Sequence, residues 1–214
     1  MRRGPSFSRS RRRTRQERLR RTLLIGAAGI LLLGVGFRAC GGDDPEARVE
    51  TVAFSGSTSS EGVPSAPDET RAEAEGLEIR ELLDDWYQRA FADPTLYGDG
   101  TFPLVAELFV AEAGVGFVED RNSLTIGELA SQVRQVTLGE QTANLTVFFQ
   151  DSSPLYATAD VRFVATVETT EGSFLELAQK VRLVFEKREG QWKVTNYYGA
   201  ERSVDSIPEP TPTS

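Results

Sequence analysis

The sequence predicts an α+β fold over residues 76–203, in which N-terminal helices pack on one face of a curved antiparallel sheet. The first half of this region has apolar residues at three- and four-residue steps, which is the period of an amphipathic helix. The second half alternates apolar and polar residues at every second position, which is typical of strands with one buried face. Short turns, most of them containing glycine, separate the alternating segments, so the strands are expected to form an antiparallel meander.

Three helices are predicted in the first half. The longest covers residues 77–91, with apolar side chains on one side and acidic ones on the other, and it ends before Asp93-Pro94. A second helix is predicted over residues 101–113, because Gly114 follows and favours termination. A short third helix begins at the capping-box sequence Thr125-Ile126-Gly127-Glu128.

Five strands are predicted in the second half, over residues 133–138, 144–150, 155–169, 173–187 and 191–198. The odd-numbered positions from 155 to 167 and from 175 to 185 are apolar except for Gln179, so they are expected to face the helices. The even-numbered positions are expected on the outer face of the sheet, and the charged residues among them include Asp160, Arg162, Lys180 and Arg182.

The first 40 residues differ sharply in charge from the rest of the chain. Residues 1–22 contain ten arginines and one acidic residue, a net charge of +9, whereas residues 41–214 carry a net charge of −18. Residues 23–37 between them are apolar and uncharged. A basic cluster before an apolar run follows the positive-inside rule, so we expect a single-pass membrane anchor at residues 23–40. The N-terminus is then cytoplasmic and the C-terminal domain extracytoplasmic.

Two alternatives to an uncleaved anchor remain open. The apolar run covers only ~22 Å at about 1.5 Å per residue, which is shorter than a ~30 Å hydrocarbon core and matches a cleaved signal peptide. Cys40, the only cysteine, follows the run in a way that resembles a bacterial lipoprotein signal, in which the cysteine is lipidated. Phe37 and Arg38 depart from that signal, which has an aliphatic and a small residue there. A lipidated Cys40 would likewise hold the protein on the outer face of a membrane.

The N-terminal arginine cluster has two interpretations. Binding to nucleic acid through phosphates is one, but the cluster contains a single aromatic residue, Phe7, and so lacks a stacking platform. Anionic lipid at the cytoplasmic surface accounts for the same arginines at about 1 kcal/mol each. We therefore expect membrane lipid as the partner of this segment, and no nucleic acid.

Low-complexity segments flank the predicted domain. Of the 35 residues from 41 to 75, 24 are Gly, Pro, Ser, Thr, Asp or Glu, a composition that predicts a disordered acidic linker. Residues 204–214 have proline at every second position near their centre and are expected to form a Pro-rich tail. The predicted order is therefore a basic segment, an anchor, a linker, one domain and a tail.

Composition excludes several kinds of catalysis. The chain has no histidine, which excludes Ser-His-Asp triads, Cys-His dyads and His-ligated zinc. A single cysteine permits no internal disulfide and no thiolate metal cage. We therefore expect no metal and no cofactor, and the sequence identifies no catalytic residue.

The order and lengths of the elements resemble the nuclear-transport-factor-2-like superfamily (NTF2-like, a cystatin-like α+β cone). So does the last strand, which follows Gly190 and contains Trp192, Lys193 and Val194 near its start. The resemblance covers residues 76–203 and is one of architecture. It implies a pocket between the helices and the concave side of the sheet, which the isomerase-like enzymes of the superfamily use. Other members are adaptors, transport subunits and extracytoplasmic accessory domains, and the fold does not choose between them.

Two candidate sites follow from these patterns. The pocket implied by the resemblance would be lined by Trp86, Tyr87, Tyr97, Phe117 and Gln179. The other candidate is the outer sheet face, either as a solvated surface or as a docking surface for a protein partner or a second copy. We favour a membrane-anchored extracytoplasmic accessory or interaction module without catalytic activity. The alternative is a small hydrophobic-ligand binder or an isomerase-like enzyme that uses the apolar pocket.

Overall fold

A computed structural model describes residues 49–63 and 69–209, in which helices pack on one five-stranded sheet. The strands are β1 (Thr58–Val63), β2 (Val133–Gln150), β3 (Ser153–Thr169), β4 (Phe174–Arg188) and β5 (Gln191–Ile207). Their order in the sheet follows the chain, β1-β2-β3-β4-β5. The predicted α+β class is therefore confirmed. The sheet is mixed rather than wholly antiparallel, because β1 pairs in parallel with β2.

All the described helices lie between β1 and β2 in the chain. They are α1 (Glu69–Tyr87), which continues into a π-helical segment (Gln88–Ala92), and the shorter α2 (Pro103–Ala106), α3 (Ala111–Glu119) and α4 (Arg121–Leu124). Short 3-10 turns at Pro94–Leu96 and Gly127–Ser131 complete the connection. None of the helices within the described residues is long and apolar enough to cross a membrane.

Helix α1 packs on the inner face of the sheet and supplies much of the core. Its residues Ile79, Leu83 and Trp86 are fully buried, as three- and four-residue spacing requires of a helix face that meets a sheet. Opposite them lie the odd-numbered residues of β3 and β4, such as the fully buried Phe163. The predicted inward and outward faces of these two strands are confirmed between residues 157 and 185.

The linker predicted over residues 41–75 differs from the structure, because its described residues, 49–63 and 69–75, belong to the folded domain. Residues 69–75 begin α1, and residues 49–57 form an extended segment, here called the strap, that leads into β1. Val52 and Phe54 of the strap are buried in the core. Composition averaged over 35 residues hides these two side chains, yet burying each contributes about 1.5–3 kcal/mol, enough to help fix a short segment.

Side chains from α1, from the π-helical segment after it and from β2 satisfy the backbone of the strap. Gln88 accepts a hydrogen bond from the Val52 N–H at 2.9 Å and donates one to the Glu50 carbonyl at 3.2 Å. Asp84 accepts from the Phe54 N–H at 2.8 Å. The Glu50 carboxylate in turn accepts from a main-chain N–H of β2 at 2.8 Å. The strap is therefore held by contacts on both of its sides.

The helix predicted over residues 101–113 is wrong in its extent. It is two helices, α2 and α3, separated by a short extended turn that pairs with β5. The Val110 N–H donates to the Val194 carbonyl at 2.9 Å, and the Val194 N–H donates to the Leu108 carbonyl at 3.0 Å. These tertiary hydrogen bonds override the local helical pattern. Gly114, the predicted terminator, lies inside α3.

Strands β2 and β5 are longer than predicted. The two strands expected at residues 133–138 and 144–150 are one strand, because Gly139-Glu140 forms a bulge rather than a turn. Strand β5 continues beyond residue 198, so the first part of the predicted tail, residues 204–214, pairs with β4. Pairing with β4 supplies backbone partners that the local sequence does not reveal.

Several predictions concern residues outside the described ranges. These are the basic segment at residues 1–22, the membrane segment at residues 23–40 and the candidate lipidation site Cys40. The first eight residues of the predicted linker and the last five of the tail are also outside them. These assignments stay predictions from the sequence.

Candidate functional site

The five residues of the predicted pocket are all buried in the core. Each is at most 1% exposed: Trp86, Tyr87, Tyr97, Phe117 and Gln179. The ring centroid of Tyr87 lies 4.8 Å from that of Phe54, 5.0 Å from Phe91 and 5.1 Å from Phe163. Phe117 packs against Phe109 with centroids 5.0 Å apart. The space between α1 and the sheet around Tyr87 is thus occupied by the protein's own aromatic side chains.

The polar atoms of this cluster bond within the protein. The Tyr87 hydroxyl donates a short hydrogen bond to the Gln179 side-chain carbonyl, and the Gln179 amide donates to the Ser123 carbonyl at 2.9 Å. A buried amide needs such partners, because an unpaired one costs roughly 1–3 kcal/mol. Gln179, the polar residue expected on the inner face, therefore links β4 to α1 and to α4.

Burial also keeps the two core tyrosines neutral. Desolvation raises the pKa of both Tyr87 and Tyr97 well above that of an ordinary phenol. The Tyr97 hydroxyl donates to the Phe91 carbonyl at 2.6 Å, and the Trp86 indole N–H donates to the Leu124 carbonyl at 3.2 Å. The polar groups of the predicted pocket thus form hydrogen bonds that connect the elements of the core.

The four residues predicted to form an interface line one open groove on the outer face of the sheet. This outer-face groove has a volume of about 840 Å³. Asp160 on β3 lies opposite Arg182 on β4, and two residues along, on the same face, Arg162 lies opposite Lys180. Strands β2 and β5 supply the flanking residues Glu140, Thr142, Asn144, Tyr198 and Glu201. The structure therefore brings together all four charged residues that the alternation of β3 and β4 selects.

Two bulges flank the outer-face groove. One is the bulge of β2, which carries Glu140 within 3.7 Å of Arg162. The other lies where β5 passes Lys180 and Arg182, at Gly199, whose φ is +58°. A bulge bends its strand and increases the local twist, so both strands beside the groove change direction there. The floor between them includes Val161 and Val181, whose side chains are buried.

The charges in the outer-face groove are only partly paired. Arg182 donates to Asp160 at 2.6 and 2.9 Å, and this hydrogen bonding raises the pKa of the guanidinium. Arg162 approaches Glu140 less closely, at 3.7 Å. No carboxylate among the described residues forms an ion pair with Lys180 within 4 Å. The groove therefore presents cationic groups that a binding partner can reach.

The periodicity of the sequence does not reveal the residues that β2 and β5 contribute to the groove. Glu140 falls in the predicted turn between two strands, and Glu201 lies beyond the predicted end of the last strand. The bulge at Gly199 interrupts the alternation of β5, which hides its second half from a periodicity search. The pairing register of β4 and β5 places Glu201 opposite Lys180 and therefore in the groove.

A second cavity, of about 540 Å³, opens beside the loops that flank α4. Its polar lining residues come from the loop before α2, from α4 itself and from the 3-10 turn at Gly127–Ser131, and they include Asp99, Arg121, Asn122, Glu128 and Ser131. Nearby, the half-buried guanidinium of Arg202 donates to the Thr125 and Ile126 carbonyls at 3.3 and 2.5 Å. Burial lowers the pKa of Arg202. The described part of the chain contains no cluster of three carboxylate or thiol groups placed to hold a metal ion.

Comparison of the chain with protein-family models, with curated proteins and with solved structures gives no match. The choice between the candidate sites therefore depends on their geometry and on the N-terminal sequence. The resemblance to the NTF2-like superfamily stays an expectation based on the order and lengths of the elements.

Proposed function

We propose that this chain is a membrane-anchored extracytoplasmic interaction module that binds a protein partner through the outer-face groove and catalyses no reaction. The observation that carries the proposal is the contrast between the two faces of the sheet. The inner face is packed with aromatic side chains whose polar atoms have internal partners, whereas the outer face carries accessible charges. Fixed charges on a surface suit protein recognition, because electrostatic complementarity selects the partner and its register.

The N-terminal sequence supports a location at a membrane. The basic residues before the apolar run favour a cytoplasmic N-terminus, with the domain on the other side. An NTF2-like accessory domain agrees with this location, and the long strands β2 to β5 after an N-terminal group of helices support that class. A ligand pocket at Tyr87 is not favoured, because the Tyr87 hydroxyl donates to Gln179 and the Gln179 amide donates to the Ser123 carbonyl.

Site-specific photo-crosslinking in intact cells tests the proposal. Arg162 and Arg182 are replaced one at a time by a photo-reactive amino acid, and Leu77, which is 56% exposed on α1, is the control position. We expect covalent adducts of one defined mass from both groove positions and none of that mass from the control. Adducts that contain only a second copy of the chain would assign the groove to self-association. Absence of adducts from both groove positions would refute the proposal.

A further inference from the structure

We propose that the occupant of the outer-face groove is an acidic, extended segment of a partner protein, with a carboxylate seated between Arg162 and Lys180. This inference rests on the proposed function, because it names the chemistry of the partner. Three features of the groove support it: two cations that oppose each other in the sheet, their incomplete pairing, and the extent of the groove from β2 to β5.

Arg162 and Lys180 are direct partners in the β3–β4 ladder. Like charges at directly opposed positions destabilise a sheet. The next pair on the same face of this ladder, two residues away, is the complementary pair Asp160 and Arg182, joined by two hydrogen bonds. The chain thus places two cations together where one acidic residue would remove the repulsion. A carboxylate from a partner removes it in the complex.

Neither of these cations is fully neutralised by the protein. The side chains of Arg162 and Glu140 are 57% and 48% exposed, and they meet only at 3.7 Å. Lys180 lies opposite Glu201 in the β4–β5 ladder, yet the two make no ion pair within 4 Å. A carboxylate has two oxygens and can accept from a guanidinium and an ammonium at once. A single acidic side chain therefore satisfies both groups.

The charge of the rest of the chain makes this position distinctive. Residues 41–214 contain 13 basic and 31 acidic residues, so most of this region repels an acidic partner. Three of those basic residues, Arg162, Lys180 and Arg182, line the outer-face groove together with three acidic ones, Glu140, Asp160 and Glu201. Attraction at the opposed cations Arg162 and Lys180, and repulsion by the acidic residues around them, restrict where an acidic side chain docks.

The shape of the groove favours a chain segment over a small ion. Its volume of about 840 Å³ is far larger than one carboxylate fills, and it extends from Asn144 on β2 to Tyr198 on β5. Thr142 and Asn144 offer hydrogen-bonding groups along one side. Tyr198 is 56% exposed on the other and offers an aromatic surface, a residue type that often contributes strongly to protein interfaces.

The test measures binding of a fluorescent peptide to the full chain in nanodiscs of neutral lipid. The probe alternates glutamate and threonine, and its control has glutamine in place of glutamate. We expect only the glutamate peptide to bind. Lys180→Gln and Arg162→Gln should each weaken its binding roughly fivefold. Arg134→Gln removes an exposed cation that pairs with Glu168 outside the groove, and it should leave binding unchanged.

Several results would overturn the inference. Equal binding of the two peptides would show that binding does not require a carboxylate. An equal loss of binding in Arg134→Gln would show that the peptide does not bind specifically between Arg162 and Lys180. Inorganic phosphate that binds as tightly as the peptide, at matched ionic strength, would exclude a contribution from the extended segment. Dimerisation abolished by Lys180→Gln would assign the groove to a second copy. Lys180→Gln should also leave the urea midpoint of the free protein unchanged or raised, and a clear decrease would contradict the repulsion.

The peptide measurement and the crosslinking separate this inference from the proposed function. Partner adducts from positions 162 and 182 without binding of the glutamate peptide would overturn the acidic chemistry and leave the interaction module intact. Absence of adducts from both positions would refute the interaction module itself. Adducts together with carboxylate-dependent peptide binding would support both.

Discussion

Phe54 is expected to contribute a large share of the stability of the domain, because it fixes the strap to the core. Its side chain is 7% exposed and lies edge-on to Tyr87, with ring centroids 4.8 Å apart. Replacing a buried phenylalanine by alanine removes its transfer free energy and leaves a cavity, at a cost of about 3–5 kcal/mol. The hydrogen bond from the Phe54 N–H to the Asp84 carboxylate does not involve the Phe54 side chain, so it persists in the alanine variant. We therefore expect Phe54→Ala to cost about 3 kcal/mol, at the lower end of this range.

Urea unfolding of the full chain measures this change. Both tryptophans, Trp86 and Trp192, are buried in the domain, so their fluorescence reports its unfolding. With a slope of about 1–3 kcal/mol per molar urea, a loss of about 3 kcal/mol lowers the midpoint by about 1–3 M. Val49→Ala, at a position 42% exposed at the start of the strap, should change stability by less than about 0.5 kcal/mol. A loss for Phe54→Ala as small as that of this control would refute the packing of the strap.

Three further predictions concern the strap and the anchor. Burial raises the pKa of the Asp84 carboxyl, so the folded protein holds this proton more tightly than the unfolded chain does. The resulting contribution to the free energy of unfolding is lost as the pH rises through the raised pKa. Asp84→Asn keeps a hydrogen-bond acceptor for the strap. The urea midpoint of this variant minus that of the natural chain should rise as the pH increases from about 4 to about 7. A midpoint difference that stays constant over this pH range would contradict the raised pKa. A Cβ at Gly56, where φ is +139°, would lie 2.2 Å from the Ala143 carbonyl oxygen, so Gly56→Ala should lose at least about 1–3 kcal/mol in the same titration. Gly114→Ala, with no atom near its Cβ, should lose nothing, and equal effects of the two substitutions would refute the close approach. An uncleaved anchor predicts that Cys40→Ala stays in the membrane fraction at full mass by intact mass spectrometry, whereas release from the membrane with loss of a lipid adduct would show lipidation.

The regular parts of the fold could be predicted because each buries one continuous face. The helix over residues 77–91 and the strands from 155 to 187 show their period in the sequence. The strap could not be predicted in this way, because only Val52 and Phe54 enter the core and its hydrogen-bond partners come from distant elements. The interruption between α2 and α3 likewise depends on Val194, which is remote in the sequence.

The candidate site could be predicted only in part. Alternation places Asp160, Arg162, Lys180 and Arg182 on one face, but the groove depends on bulges and on pairing register. At Gly139 in the β2 bulge, a Cβ would lie 2.9 Å from the Val164 carbonyl oxygen of β3. Such a close approach involves a partner strand and leaves no local pattern. Alternation also places Gln179 inside, but it does not reveal that Tyr87 satisfies it.

The most direct test of the central claim, that a partner covers the outer-face groove, is the rate of maleimide labelling in native membranes. Glu201→Cys lies in the groove, and Glu112→Cys on α3 is the matched control, since both positions are exposed. Mass spectrometry of the peptides separates these labels from any label on Cys40. Labelling at position 201 should be slower in native membranes than in the purified chain, while labelling at position 112 should be the same in both. Equal rates at position 201 in the two preparations would contradict the proposed function.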